Sequence, residues 1–96
     1  QLKALARKHR SLGKDLAELT GQLAIDPRFG TPLGQGCYKI RMKITSKGTG
    51  KSGGARLITH VVVQAKRVFL LSIFDKSEQE SISVTEIRAL LRRLPL

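Results

Sequence analysis

The sequence predicts an α+β fold in which helices pack on one side of an antiparallel sheet, and three observations support this prediction. Apolar residues recur at helical spacing near both ends of the chain, the middle alternates with a period of two, and glycines and prolines separate these segments. The resulting order is helix, helix, strand, strand, strand, helix. With 96 residues the chain has room for one hydrophobic core, so residues 1–96 are predicted to form a single domain.

Helices are predicted at both ends of the chain. Two of them open the sequence and are separated near Ser11, a plausible N-cap. A third follows the capping box of Ser83 and Glu86 near the end. Residues 26–36 contain two prolines and three glycines, so we expect an irregular connector there. The apolar stripes of the three helices are Leu2, Leu5, Ala6 and His9; Leu12, Leu16, Leu19 and Leu23; and Ile87, Leu90, Leu91 and Leu94.

At least three strands are predicted between these helices, over residues 37–45, 56–64 and 68–74. In the first strand apolar residues alternate with Lys39, Arg41 and Lys43, so one face belongs to the core and the other is cationic. Arg56 on the next strand would extend this cationic face if it pairs beside Arg41. The third strand is apolar on both faces, which predicts a position in the middle of the sheet.

The charge of the chain indicates a polyanionic partner. The net charge is +11, and all seven acidic residues lie outside the stretch from Arg28 to Phe74. Nucleic acid is favoured over an anionic membrane surface, and the alternative is a merely solubilising face. The apolar runs are too short to cross a bilayer, and a single Cys37 without a secretion signal favours the cytoplasm.

Local motifs give little support to nucleotide or metal chemistry. The segment from Gly48 to Ser52 resembles the end of a phosphate-binding loop, but Thr45 stands where the first glycine is needed and a strand follows instead of a helix. His9, Cys37 and His60 are not grouped at ligand spacing, so neither a metal site nor a cofactor is predicted. A lone His60 or Cys37 among apolar residues is more often structural than catalytic.

The row of basic side chains formed by Lys39, Arg41 and Lys43 is suited to binding RNA. Alternate positions on a strand lie about 7 Å apart, close to the phosphate spacing of a nucleic acid strand. Cations there can activate a ribose 2′-hydroxyl, stabilise the charge on a pentavalent phosphorus and assist the leaving oxygen, without a metal or a histidine.

Several segments in order resemble the RelE/ParE toxin superfamily, and within it the HigB-like branch. They cover nearly the whole chain, and their combination is more specific than any one of them. These segments are Gly30-Thr31-Pro32-Leu33-Gly34, Cys37-Tyr38-Lys39-Ile40-Arg41, Gly50-Lys51-Ser52-Gly53-Gly54-Ala55-Arg56 and Phe69-Leu70-Leu71-Ser72-Ile73-Phe74-Asp75-Lys76-Ser77-Glu78.

The resemblance implies a RelE-like fold and the toxin of a type II toxin–antitoxin system. Such toxins are metal-independent, ribosome-dependent endoribonucleases that cleave mRNA in the cytoplasm and inhibit translation. The implied partners are the ribosome, mRNA and a cognate antitoxin with a helix-turn-helix domain, through which alone operator DNA is bound; no membrane is implied. Relatives also open with a β-strand, so we expect the first edge strand to be absent from this chain and the sheet edge to favour a partner strand.

The resemblance also assigns site residues. Lys39 corresponds to the general base, Arg41 and Arg56 to phosphate and transition-state stabilisation, and Lys76 to phosphate contact or leaving-group assistance. The C-terminal Tyr of RelE has no counterpart, because the alternation places Tyr38 on the core face. The expected RNA-binding residues are Lys43, Lys47, Lys51 and Phe74, the last by stacking on a base.

Two other functions remain open at this stage. One is a ParE-like gyrase poison that binds a protein target and cleaves nothing, and the other is a non-catalytic basic module that binds RNA or the ribosome. Cleavage requires Lys39, Arg41 and Arg56 to lie on the same side of the molecule, whereas a gyrase poison does not.

Overall fold

The computed structural model describes residues 11–44, 54–76, 79 and 81–94 as two helices and one four-stranded sheet. The predicted helix over residues 2–9 lies outside these residues. Within them, no helix is long and apolar enough to span a membrane. The elements are α1 (Leu12–Ile25), β1 (Thr31–Gly34), β2 (Cys37–Met42), β3 (Ala55–Val62), β4 (Arg67–Asp75) and α2 (Val84–Leu91).

The sheet is antiparallel throughout, with its strands in the order β1-β2-β3-β4. The α+β prediction is therefore confirmed, but the connector predicted over residues 26–36 contains the short strand β1. The prolines and glycines of this segment are typical of turns, so the sequence did not indicate a strand there. An edge strand tolerates Pro32, which has no backbone N–H, because one side of such a strand forms no hydrogen bonds with a neighbouring strand. Gln35 and Gly36, both with positive φ, then reverse the chain into β2.

The position predicted for β4 is wrong, because β4 pairs only with β3 among the described strands and lies at an edge. The apolar residues of β4 do not show that the strand lies in the middle of the sheet. Ile73 belongs to the core cluster, helix α2 contacts the strand, and Leu70 remains 45% exposed. A strand can therefore be apolar on both faces because helices pack against it, even when it lies at the edge of the sheet.

The hydrophobic core lies between α1 and one face of the sheet, which we call the helix-facing face. Alternate residues of β2 and β3 reach it, and each fully buried aliphatic side chain contributes about 1.5–3 kcal/mol. Because β2 sends its even-numbered residues into this core, its odd-numbered residues lie on the opposite face. The buried members of the cluster are Leu12, Leu19, Ile40, Met42, Ile44, Ala55, Leu57 and Ile73.

The two helices begin in different ways. At α2 the predicted capping box is present: the Glu86 backbone N–H donates to the Ser83 hydroxyl, 3.1 Å away, and the Ser83 backbone N–H donates to the Glu86 carboxylate. At α1 Ser11 is the N-cap residue, as predicted, but its side chain makes no cap hydrogen bond. Its hydroxyl donates instead to the buried Asp15 carboxylate, 2.9 Å away.

Candidate nucleic-acid interface

Strand β2 places its basic residues on the face opposite α1. Ile40 and Met42 are buried in the core, so Lys39 and Arg41 point to the other side of the sheet. Arg41 is exposed and Lys39 is half-buried, and Lys43 is exposed directly after the strand. The alternation therefore divides the strand as the sequence predicted.

The register between β2 and β3 brings Arg56 to Arg41. The two residues are direct partners across the strands, and Lys39 is paired with Ile58, two residues further along. Side chains directly opposite in an antiparallel pair have Cβ atoms about 4.5–5.5 Å apart and share one face. The predicted proximity of Arg56 to Arg41 is confirmed, and Lys39, Arg41 and Arg56 belong to the same side of the sheet.

The guanidinium of Arg56 lies in an environment that disfavours its positive charge. The residue is 3% exposed, and its Nη1 donates to the Ala55 carbonyl oxygen 3.1 Å away. Its pKa is lowered from the usual value, first by burial and second by the charge of Arg41. An arginine remains protonated in spite of such a shift, so two cations stand side by side. An anion placed over this pair would relieve their repulsion.

Lys76 is positioned at the same end of the sheet. Its backbone N–H donates to the Gly54 carbonyl oxygen, 3.1 Å away, one residue beyond the pairing of Ala55 with Asp75. Lys76 is exposed. The backbone of β2, β3 and the end of β4 thus gathers four basic residues, which we call the cation cluster: Lys39, Arg41, Arg56 and Lys76.

Phe74 does not have the exposure that base stacking needs. It is paired with Arg56 on β3 and is 4% exposed, so its ring contributes to the buried interior. The expectation that Phe74 stacks on a base is therefore wrong, because its ring is buried. Of the other expected RNA-binding residues, Lys43 is exposed, whereas Lys47 and Lys51 lie outside the described residues.

The register also creates a pairing that sequence reasoning missed. Cys37 and His60 are direct partners across β2 and β3, and the Cys37 Sγ lies 3.6 Å from the His60 Nδ1. Cys37 is buried, in agreement with the structural role expected of it, and burial raises the pKa of its thiol. The strand parity of both residues was readable from the sequence, but their contact depends on the register.

Acidic residues of α1 approach the edge of the cationic face, which the sequence did not indicate. Asp15 and Glu18 line a small cavity of about 90 Å³ together with Arg41 and Lys43. A larger cavity of about 580 Å³ lies between α1 and the strands β3 and β4, with a mostly aliphatic lining. We take the cation cluster as the candidate site, because its N–H groups suit an anion, and the residues that line the larger cavity include none of the cluster.

Metal ligands are not grouped in the part of the chain that the structure describes. No three His, Cys, Asp or Glu side chains there are arranged to hold an ion. The cation cluster instead presents ammonium and guanidinium groups, which donate hydrogen bonds and can bind anions.

The fold and the cation cluster together define a small α+β protein with basic residues on one face of its sheet. Residues 2–93 match the model of a family described as the RelE toxin of the RelE/RelB toxin–antitoxin system. The chain belongs to this RelE toxin family. It is accordingly a toxin of a toxin–antitoxin system, with a cognate antitoxin as its partner. The resemblance seen in the sequence is confirmed for the family, and the HigB-like branch remains a prediction.

Proposed function

We propose that this toxin is an endoribonuclease that cleaves mRNA on the ribosome and so inhibits translation, as HigB-like members of the superfamily do. The main support is the direct pairing of Arg41 with Arg56, with Lys39 two residues away on the same face. This arrangement places several cations on one face of the sheet, and cations of this kind bind the negative charge of a ribose-phosphate linkage.

In the proposed reaction the ribose 2′-oxygen attacks the adjacent phosphorus. The O2′–P bond forms and the P–O5′ bond breaks, which leaves a 2′,3′-cyclic phosphate and a 5′-hydroxyl. Lys39 in its neutral form takes the proton from the 2′-hydroxyl, and the ammonium of Lys76 gives a proton to the departing O5′. Arg41 and Arg56 stabilise the negative charge that accumulates on the phosphoryl oxygens.

The two arginines have different parts in this proposal. Arg41 is exposed and makes the contact with the phosphoryl oxygens. Arg56 is almost fully buried and donates to the Ala55 carbonyl oxygen, so it contributes a fixed positive charge across the strands from Arg41. Such a charge is already oriented before the substrate binds, and no solvent has to rearrange around it during the reaction.

The cellular setting follows from the same proposal. We infer that the toxin acts in the cytoplasm on ribosome-bound mRNA, needs no cofactor and has no membrane partner. The net charge of +11 favours ribosomal RNA and mRNA as binding partners. We further infer that the antitoxin carries a helix-turn-helix domain and that operator DNA is bound only through the toxin–antitoxin complex.

Translating ribosomes programmed with a defined mRNA provide the test. We expect the wild-type toxin to cut the mRNA only when ribosomes engage it, and Lys39→Ala to cut it at least about 100-fold more slowly, because general base catalysis contributes about that factor. Mapping of the new 5′ ends measures both rates. Lys14→Ala is the matched control, since Lys14 is an exposed lysine of α1, the helix that packs on the face opposite Lys39.

A gyrase supercoiling assay with the same proteins separates the other functions. Inhibition of gyrase without any cut in the mRNA would contradict the proposal and indicate a ParE-like poison. Ribosome binding with neither effect would also contradict it and indicate a non-catalytic binding module. Equal cutting by wild type and Lys39→Ala would overturn the role of Lys39.

A further inference from the structure

His60 lies on the cationic face, next to the cation cluster. It pairs with Cys37, while Lys39 pairs with Ile58, so His60 is the diagonal neighbour of Lys39 across the two strands. Diagonal neighbours are about 7–8 Å apart and point to the same face. That distance corresponds to about one nucleotide along an extended strand. His60 is partly exposed, unlike Cys37 and Ile58 beside it.

The hairpin turn between β1 and β2 holds one edge of the His60 ring. A Cβ atom added at Gly36 would lie 3.1 Å from the His60 Cε1 and 3.3 Å from its Nδ1, so only glycine fits closely there. The Val61 backbone N–H donates to the Gly36 carbonyl oxygen, 2.9 Å away, which fixes the turn against β3. The Cε1–Nδ1 edge of the ring thus faces protein, with Gly36 on Cε1 and the Cys37 sulfur on Nδ1.

Hydrogen bonds around Cys37 favour one tautomer of His60. The Cys37 thiol donates to the Gln35 carbonyl oxygen at 3.7 Å, and its sulfur also lies 3.6 Å from the His60 Nδ1. A thiol has a single hydrogen, so both contacts are satisfied together only when Nδ1 carries the imidazole proton and donates to sulfur. Nε2 then has a free lone pair, which accepts hydrogen bonds.

We propose that His60 is a further RNA-binding residue, whose Nε2 accepts a hydrogen bond from the 2′-hydroxyl of the nucleotide adjacent to the linkage held by the cation cluster. This inference rests on the proposed action on RNA and names a second contact on the same face. Cys37 is a positioning residue in this arrangement, because it acts on RNA only through the orientation and tautomer of His60. A 2′-hydroxyl contact distinguishes RNA from DNA, which phosphate contacts do not.

The test compares the affinities of the toxin for a fluorescent single-stranded RNA and for the DNA of the same sequence, by anisotropy. We expect His60→Phe, which keeps a ring against Gly36, to lower RNA affinity about three- to tenfold and to leave DNA affinity unchanged, the effect of one hydrogen bond. Lys43→Ala is the control, because loss of an exposed cation weakens RNA and DNA binding equally.

Variants of Cys37 test the positioning role. Cys37→Ala should lower the RNA-to-DNA affinity ratio as His60→Phe does, and Cys37→Ser should restore it, because a hydroxyl can also donate to the Gln35 carbonyl and accept from Nδ1. Nitrogen NMR of the imidazole should place the proton on Nδ1 in the wild type and in Cys37→Ser. This spectroscopic measurement does not depend on activity.

The inference is overturned if His60→Phe leaves the affinity ratio unchanged, if it weakens RNA and DNA binding equally, or if the imidazole proton lies on Nε2. Failure of the proposed function is seen separately, because it appears as intact mRNA on programmed ribosomes. A toxin that cuts mRNA and yet shows the same affinity ratio in His60→Phe would retain the first proposal and lose the second.

Discussion

The two faces of strand β2 differ in chemistry although alternate residues of one short strand form them. On the helix-facing face Ile40 and Met42 are buried under α1, and on the other face Lys39 and Arg41 stand beside Arg56. Burial of aliphatic groups stabilises the fold, whereas like charges placed directly opposite each other on neighbouring strands do not. Stability and function are therefore assigned to alternate residues of the strand, and mutations should separate them.

The largest effect on stability is expected on the helix-facing face, from Ile40→Ala. Ile40 is completely buried in the core cluster, so the substitution leaves a cavity and should lower the free energy of unfolding by about 2–5 kcal/mol. Urea denaturation measures this loss. Ile25→Ala is the control, because Ile25 is 88% exposed and its loss should change stability by less than about 0.5 kcal/mol. Equal losses would contradict the division of the two faces.

On the other face Arg41→Ala should affect function and spare the fold. We expect mRNA cleavage to fall about 100-fold, the effect of one lost group that stabilises the transition state. The free energy of unfolding should stay constant or rise by at most about 1 kcal/mol, because the like charge opposite Arg56 is removed. Cleavage assays and urea denaturation on the same preparation measure both. A loss of stability comparable to that of Ile40→Ala would refute this view of the face.

The smallest effect is expected away from both faces of β2, from Ser83→Ala at the start of α2. Loss of the capping box should lower the free energy of unfolding by about 1 kcal/mol, or the melting temperature by about 4–8 °C, with cleavage unchanged. Thermal unfolding measures the shift. Ser81→Ala, at an exposed residue before the cap, should leave the melting temperature unchanged. A marked loss of cleavage in Ser83→Ala would show that α2 also supports the site.

The parts of the fold that depend on short-range patterns were predictable from the sequence. The alternation in β2 identified its core and cationic faces, and the spacing of Ser83 and Glu86 identified the cap of α2. In β1 a proline and a glycine, which normally mark a turn, lie within an edge strand, so the local pattern indicated the wrong structure.

The parts that depend on pairing between strands were not predictable in the same way. The sequence pattern shows which residues share a face but not which residues of β2 and β3 lie opposite each other, so the pairing of Arg56 with Arg41 could be stated only as a possibility before the structure. The contact of Cys37 with His60 depends on the same register. The burial of Phe74 depends on what covers the sheet, and an alternating pattern does not contain that information.

The alternation of β2 limits how relatives of this toxin can vary in length. Insertion or deletion of a single residue within Cys37–Met42 would exchange inward and outward side chains, and would carry ammonium and guanidinium groups beneath α1. Burial of unpaired charge at that place would prevent folding. Changes in chain length are therefore expected in connections such as the turn over residues 63–66, or in steps of two residues within the strand. Among related toxins, differences in length should accumulate in the loops, while the pairing of the strands stays the same.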